Sequence, residues 1–338
     1  MSPALGVGVC FRAPAAPCFQ AEDEHKRMGP LVVLVGPTAV GKTDLSLPVA
    51  QALNAEIINV DSRQLYQDMN IGTAKPNARQ RAQIPHHLLD LLRPDQQTSA
   101  AQFVRVARDV LGTLQQRQKR ALIVAGSGLY LRALLYGLMP VPPAYEPLRQ
   151  ELHAYAERHG TTALHDRLRQ VDPVAAARYH PHDRIRLIRA LEVTYLTGEP
   201  FSSHVCRHQE QQQVYPYIGI ALARQRVELY TRIANRTDAM LAAGWLDEVQ
   251  RLVSHGYTDA CAAMNSLGYR ELLRYLAGQA NWPQTVSTIK QATCRFAKRQ
   301  LTYFRKFPGL EWLDLSSLQA PVAVARILES VSRAQRPS

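Results

Sequence analysis

Leu31-Val32-Val33-Leu34-Val35-Gly36-Pro37-Thr38-Ala39-Val40-Gly41-Lys42-Thr43 is the stretch on which the reading of the fold turns. Its first five residues are all apolar, and three are valine, which suits a strand buried on both faces of a parallel sheet. The next eight match G-x-x-x-x-G-K-[ST], with a helix expected from Lys42 to about Leu53. Gly36 and Gly41 let the backbone turn so that successive N–H groups point inward, at the oxygens of a phosphate. The helix N-terminus adds a favourable dipole, Lys42 a mobile positive charge, and Thr43 a hydroxyl able to ligate Mg2+. The motif says phosphate, but not which phosphate compound. Pro48 falls inside the expected helix and should bend it or shorten its first turns.

Working outward, Glu56–Val60 and Ala121–Ala125 read as two more buried strands, with a helix between about Ala100 and Arg117. Alternating strands and helices imply an α/β fold, a phosphate-loop core built on a parallel sheet with helices on both faces. Prolines 140, 142, 143 and 147 mark a boundary, and from there to Gly198 the pattern is helical. Leu187, Ala190, Leu191 and Thr194 keep helical spacing and leave Arg186 and Arg189 on another face. Val214–Ala221 reads as a return strand, followed by helices at about Arg226–Ala243 and Val286–Lys306. The expected organisation is therefore an extension over residues 1–29 and a core from 30–140 and 200–320 with basic C-terminal helices. A helical insertion occupies 141–199, and a tail 321–338. In the last helix, Ile289, Thr293, Phe296, Gln300, Leu301 and Phe304 form a mostly apolar stripe; Gln291, Arg295, Lys298, Thr302 and Arg305 form a polar one.

The chain has 338 residues and a formal net charge of +12. Between Cys261 and Phe307 there are eight Lys or Arg (Arg270, Arg274, Lys290, Arg295, Lys298, Arg299, Arg305 and Lys306) against the single acid Glu271. Surface helices usually mix signs, so this surplus resembles a polyanion footprint. No apolar run approaches the ~20 residues of a membrane span, so no membrane partner is expected. The five cysteines contain no CxxC pair, and a reducing cytoplasm is the expected compartment. His204, Cys206 and His208 do not match the spacing of a common zinc site. Residues 1–27 show neither helical nor strand periodicity, and translation is expected to begin at Met28.

A nucleotide kinase or ATPase would add an acidic residue at the end of a later strand to hold magnesium. Here the Ala121–Ala125 strand runs into Gly126-Ser127-Gly128-Leu129-Tyr130, with no carboxylate. Asp90, in His86-His87-Leu88-Leu89-Asp90, is a possible substitute.

The long stretch Asp61-Ser62-Arg63-Gln64-Leu65-Tyr66-Gln67-Asp68-Met69-Asn70-Ile71-Gly72-Thr73-Ala74-Lys75-Pro76 resembles D-S-x-Q-x-Y-x-x-M-x-I-G-T-x-K-P of the tRNA dimethylallyltransferase (isopentenyltransferase) family. The likeness continues through His86–Asp90, Gly128-Leu129-Tyr130, Val171-Asp172-Pro173, Arg186–Glu192 and Leu267–Arg270. It ends at Lys298-Arg299-Gln300, so it spans about residues 31–306 in the family's order. The family usually shows G-G-T before its Leu-Tyr, where this chain has Ala125, Gly126 and Ser127; serine keeps the hydroxyl.

That resemblance implies transfer of a prenyl group from dimethylallyl diphosphate to the exocyclic amine (N6) of the adenine 3′ of the anticodon, releasing diphosphate. Gly36, Pro37, Thr38, Ala39, Val40, Gly41, Lys42 and Thr43 would hold the diphosphate, with Mg2+ partly on Thr43. Arg226, opening R-x-x-L-x-x-R-I, would add an arginine and is preferred over Arg232; Glu228 and Arg232 have the spacing of a surface pair. Asp61, at the end of the second strand, would accept a proton or hydrogen bond from the amine; read by itself, an Asp-Ser is an ordinary helix cap. Ser62, Arg63 and Gln64 would line the site beside it, and Ser127 would contact tRNA near the reacting base. Arg149, the run Ile185, Arg186, Leu187, Ile188, Arg189, and the run Asn265, Ser266, Leu267, Gly268, Tyr269, Arg270 would meet the anticodon stem-loop. So would Lys298, Arg299, Gln300, Leu301, Thr302, Tyr303, Phe304 and Arg305. A monomer is expected. An adenylate prenyltransferase of the cytokinin type, a phosphate-loop kinase and a non-catalytic tRNA-binding protein remain alternatives.

Overall fold

The computed structural model describes residues 29–209 and 213–335. Residues 1–28 of the expected extension, with the start at Met28, and the centre of the glutamine run lie outside them. The order is β1 (Leu31–Val35), α1 (Lys42–Leu53), β2 (Ala55–Val60), α2 (Ala78–Gln83), β3 (His86–His87), α3 (Ala100–Gln116), β4 (Arg120–Ala125) and α4 (Gly128–Tyr136). Five helices follow: α5 (Glu146–His159), α6 (Thr161–Val171), α7 (Pro173–Arg178), α8 (Arg184–Thr197) and α9 (Phe201–Gln209). The chain then returns through β5 (Tyr217–Ala223), α10 (Arg226–Ala242), α11 (Trp245–Ser254), α12 (Tyr269–Leu276), α13 (Trp282–Arg305), β6 (Leu310–Asp314) and α14 (Ala320–Ala334).

The strands form one sheet in the order β3-β2-β4-β1-β5-β6, and every pairing is parallel. Strand periodicity sends Leu31, Val33 and Val35 to one core with Leu111, Leu131 and Phe304. Val32 and Leu34 go to the other, with Val49, Leu229 and Ile327. A continuous apolar run therefore works as the centre of a two-sided sheet. The helical insertion has a core of its own, built from residues such as Leu152, Leu164, Leu187 and Leu191. Phe201 of α9 packs into it, so this helical layer continues past residue 199. A fourth cluster packs Tyr66 and Met69 against Trp245, Tyr269 and Ile289.

Several expectations change. The expected tail over 321–338 is helical as far as Ala334: Ala323, Ile327 and Val331, four apart, bury one face of α14 in a core shared with α1 and β5. Pro48 does not shorten α1, which runs unbroken from Lys42 to Leu53 with the ring on its exposed side. α13 starts four residues earlier than expected, because Asn281 and Gln284 form a capping box and Pro283 occupies the first turn. Phe296 is on the open side of α13 at 39% exposure, and Ala297 takes the inward position.

Candidate active site

Open parallel sheets present their chemistry where strands end. Here β1 ends in the Gly36–Thr43 loop, β2 in Asp61, β4 in Gly126 and β5 in Arg224. These four strands are neighbours in the sheet, so the four turns meet.

In the loop, Gly41 has φ +110°, a conformation open to glycine and strained for residues with a side chain. Lys42 Nζ donates to Gly36 O (2.7 Å) and Pro37 O (2.9 Å). Burial lowers the Lys42 pKa to about 8; the Asp61 carboxylate opposes that shift and Arg236 adds to it. Three arginines hold the outside of the loop. Arg224 Nε donates to Val40 O (2.9 Å), Arg232 Nε to Ala39 O (2.9 Å) and Arg236 Nη1 to Thr38 Oγ1 (3.3 Å). Burial lowers the pKa of Arg236 too, with Asp61 and Asp44 acting against it.

Arg226 is not among them. It is exposed at the start of α10, with its guanidinium over the Tyr230 ring at 5.2 Å. The helix thus turns residues 232 and 236 toward the loop and residue 226 away from it. Nor do Glu228 and Arg232 pair: Glu228 is bound by Arg224. Arg232 and Arg236, at i and i+4, flank the apolar positions Leu229 and Ile233, which is a signal the sequence did carry.

Asp61 Oδ1 accepts from the N–H of Arg63 (2.8 Å), and turns rather than a helix follow it. A Cβ on Gly126 would come within 3.0 Å of Asp61 Oδ2, so the bare backbone at 126 makes room for the carboxylate. The N–H groups of Gly126 and Ser127 both donate to Val60 O (3.1 Å each). Ser127 Oγ accepts from Ser62 N at 3.0 Å. Lys42, Thr43, Ser46, Asp61, Gln64 and Gly126 line one small cavity of about 40 Å³, so the loop and the carboxylate face a common space. Gln64 Nε2 donates to the carbonyls of Thr73 and Ala74 (3.2 Å each). A larger groove of about 950 Å³ lies alongside, lined by Ile71, Lys75, Arg236 and Met240 among others, and it shares Pro76 with the cavity.

Asp90 is unavailable as a magnesium carboxylate. It is bonded to Lys75 (2.5 Å) and Arg81 (2.7 Å), and these outweigh its burial to hold its pKa below the usual value. Among the described residues no group of three His, Cys, Asp or Glu could hold a metal ion, and no helix is long and apolar enough to cross a membrane.

The residues expected to meet RNA separate by burial. Ile185 is 81% exposed. Arg63, Arg186, Asn265, Arg270, Lys298, Arg299, Thr302, Tyr303 and Arg305 are also exposed. Leu187, Ile188, Ser266, Tyr269 and Phe304 are buried, as is Gly268, and they lie beneath the exposed residues. Gln300, also buried, bonds to Thr38 N and Gly126 O instead. Arg149 and Arg189 both bind the fully buried carboxylate of Glu192, at 2.9 and 2.5 Å. Burial alone would raise the pKa of Glu192, but these arginine hydrogen bonds prevail and lower it.

The family model described as IPP transferase matches residues 64–307. The tRNA dimethylallyltransferase of Symbiobacterium thermophilum is 47% identical over 306 residues, covering 90% of this chain and 94% of that protein. The tRNA isopentenylpyrophosphate transferase of Bacillus halodurans superimposes with a TM-score of 0.65 at 35% identity, over 91% of this chain and all of that one. A eukaryotic dimethylallyltransferase acting on tRNA gives a TM-score of 0.77 at 26% identity, over 92% and 81% of the two chains.

Proposed function

This chain belongs to the tRNA dimethylallyltransferase family, and from that premise we propose how its own residues carry the reaction. The enzyme transfers a dimethylallyl group from dimethylallyl diphosphate to N6 of the adenine 3′-adjacent to the anticodon in tRNA. A carbon–nitrogen bond forms as the carbon–oxygen bond to diphosphate breaks; the electron pair leaves on diphosphate and a proton leaves the amine.

An exocyclic amine of adenine is a weak nucleophile, since its lone pair is delocalised into the ring. Asp61 accepts the hydrogen bond, and then the proton, of that amine. The loop amides, Lys42 and the arginine group bind the diphosphate and stabilise the charge that grows on it. In this reading Arg232 and Arg236 take the part expected of Arg226. Thr43 supplies a hydroxyl and the diphosphate its oxygens, a donor set that fits Mg2+, which typically takes few protein ligands and keeps several waters. When bound, the ion neutralises charge on the leaving group. The adenine leaves the anticodon stack to reach Asp61, at a cost of a few kcal/mol. The exposed cations of α13 hold the stem-loop by its phosphates. Ser127, anchored to Ser62, sits at the edge of the base pocket.

The single observation that carries this reading is the shared cavity between Asp61 and Lys42 with Thr43. Labelled dimethylallyl diphosphate should label unmodified tRNA and leave AMP unlabelled; label on AMP would favour the cytokinin-type enzyme. Asp61→Ala should lower turnover by about 100-fold or more with tRNA affinity retained. Loss of affinity at normal turnover would remove Asp61 from the role of base.

A further inference from the structure

α13 shows solvent a basic face, but one of its turns looks inward. Gln300 is 8% exposed and lies where the loop after β1 meets the turn after β4. Its Oε1 accepts from the backbone N–H of Thr38 (2.9 Å), and its Nε2 donates to the carbonyl of Gly126 (2.8 Å). Thr38 is in the middle of the anion loop, where Arg236 holds its hydroxyl. Gly126 is the residue pressed against Asp61. A single amide therefore spans the two halves of the reaction, the group that receives the leaving anion and the turn that seats the base.

The chemistry of the bridge is specific to an amide. Thr38 needs an acceptor and Gly126 a donor, and a glutamine presents one of each from the same planar group. A carboxylate would set an oxygen against the Gly126 carbonyl. An alkyl chain would leave a half-buried N–H and a buried C=O without this partner.

We propose that Gln300 is a positioning residue that fixes the separation of the anion loop from Asp61, and not a contact for RNA. This rests on the prenyl-transfer reading above. Misplacement of reacting groups by about 1 Å can lower a rate by about 100-fold, so the bridge would act on turnover and leave RNA affinity alone.

The test compares Gln300→Met and Gln300→Asn with the wild-type enzyme. Methionine keeps the length and bulk without the two bonds; asparagine keeps the amide on a stem one methylene shorter, unable to span both partners. With folding checked by thermal unfolding, kcat per folded molecule should fall by about 10- to 100-fold in both variants. The dissociation constant for unmodified tRNA, measured by filter binding, should not move. Weakened tRNA binding with kcat intact would return Gln300 to the RNA surface. Both quantities unchanged, with only a lower melting temperature, would make it packing alone. If methionine prevents folding, asparagine carries the same comparison. Wild-type enzyme that labels no tRNA would sink the prenyl-transfer reading instead, so the two failures are distinct.

Discussion

Arginine is used in opposite ways at the anion loop and in the helical insertion. At the loop, Arg224 and Arg232 each give one N–H to a backbone carbonyl and Arg236 gives one to a hydroxyl. Those partners are neutral, so they fix the side chains without cancelling their charge. In the insertion, Arg149 and Arg189 converge on one carboxylate with no solvent exposure, so one of their two charges is cancelled inside the protein. Arg224 and Arg232 are intermediate, since Arg224 also binds Glu228 and Arg232 Nη2 lies 4.0 Å from Asp44 Oδ2. A count of arginines therefore overstates what a polyanion can feel. What matters is whether the partner of each guanidinium is a dipole or an anion.

The largest expected effect comes from breaking the insertion's cluster. Glu192→Ala would leave two guanidiniums facing each other at its core, and breaking a buried ion pair from one side costs about 3–5 kcal/mol. Both arginines are about a third open to water, so a loss near 3 kcal/mol is expected. Denaturant unfolding should show it as an early transition, while turnover of the folded enzyme at saturating tRNA is kept. A variant as stable as the wild type would mean that the two arginines find phosphate or water as good a partner as Glu192.

The loop responds to pH in a way the insertion should not. Lys42 has its pKa lowered to about 8 by burial, and its charged form is the one that binds diphosphate. Anion binding raises that pKa, so affinity for inorganic diphosphate should be highest below pH 8. It should then weaken by up to about tenfold per pH unit above it. The same shift has a stability sign. The unfolded chain holds this proton up to about pH 10.5, so the penalty for burying the charged amine is full below pH 8. It is relieved as pH rises between the two values. Arg236 contributes to lowering the pKa of Lys42, so Arg236→Met should move the break to higher pH while weakening the anion at every pH. Calorimetric titration across pH 6.5–9.5 checks both points (the range is about one and a half units either side of the expected break). An unmoved break would separate Arg236 from Lys42.

The contrast between these regions also explains what could be read from the chain alone. The Gly36–Thr43 loop, the β1 and β2 strands and the turn that begins at Asp61 are continuous in sequence, so spacing and local pattern carry them. The arginines are not: Arg232 reaches Ala39 from far along the chain, and residues 226 and 232 differ only in the direction that α10 gives them. Gln300 stands on the mostly apolar stripe of the last helix in sequence, while the resemblance counts it with Lys298–Arg305 among the RNA contacts; only the fold shows that its partners are Thr38 and Gly126. β3, two residues long, has no pattern to find. α14 does have one, in the fourfold spacing of Ala323, Ile327 and Val331.

The smallest effect is the most discriminating. Lys298 on α13 is exposed, and Arg149 in the insertion is bound to Glu192; by sequence both belong to the expected RNA surface. A cation that neutralises a phosphate releases a counterion and adds about 0.9 to the slope of log affinity against log salt. Arg149 and Arg189 share one buried carboxylate, so Arg149 offers at most part of a charge. Lys298→Ala should flatten the salt dependence of tRNA binding by about 0.9, roughly a 3-fold change in affinity ratio over a fourfold change in salt. Arg149→Ala should flatten the slope by less than Lys298→Ala does and lower the stability of the insertion. Filter binding of unmodified tRNA at several salt concentrations distinguishes them, and equal slopes for the two variants would mean that Glu192 yields Arg149 to the RNA on binding.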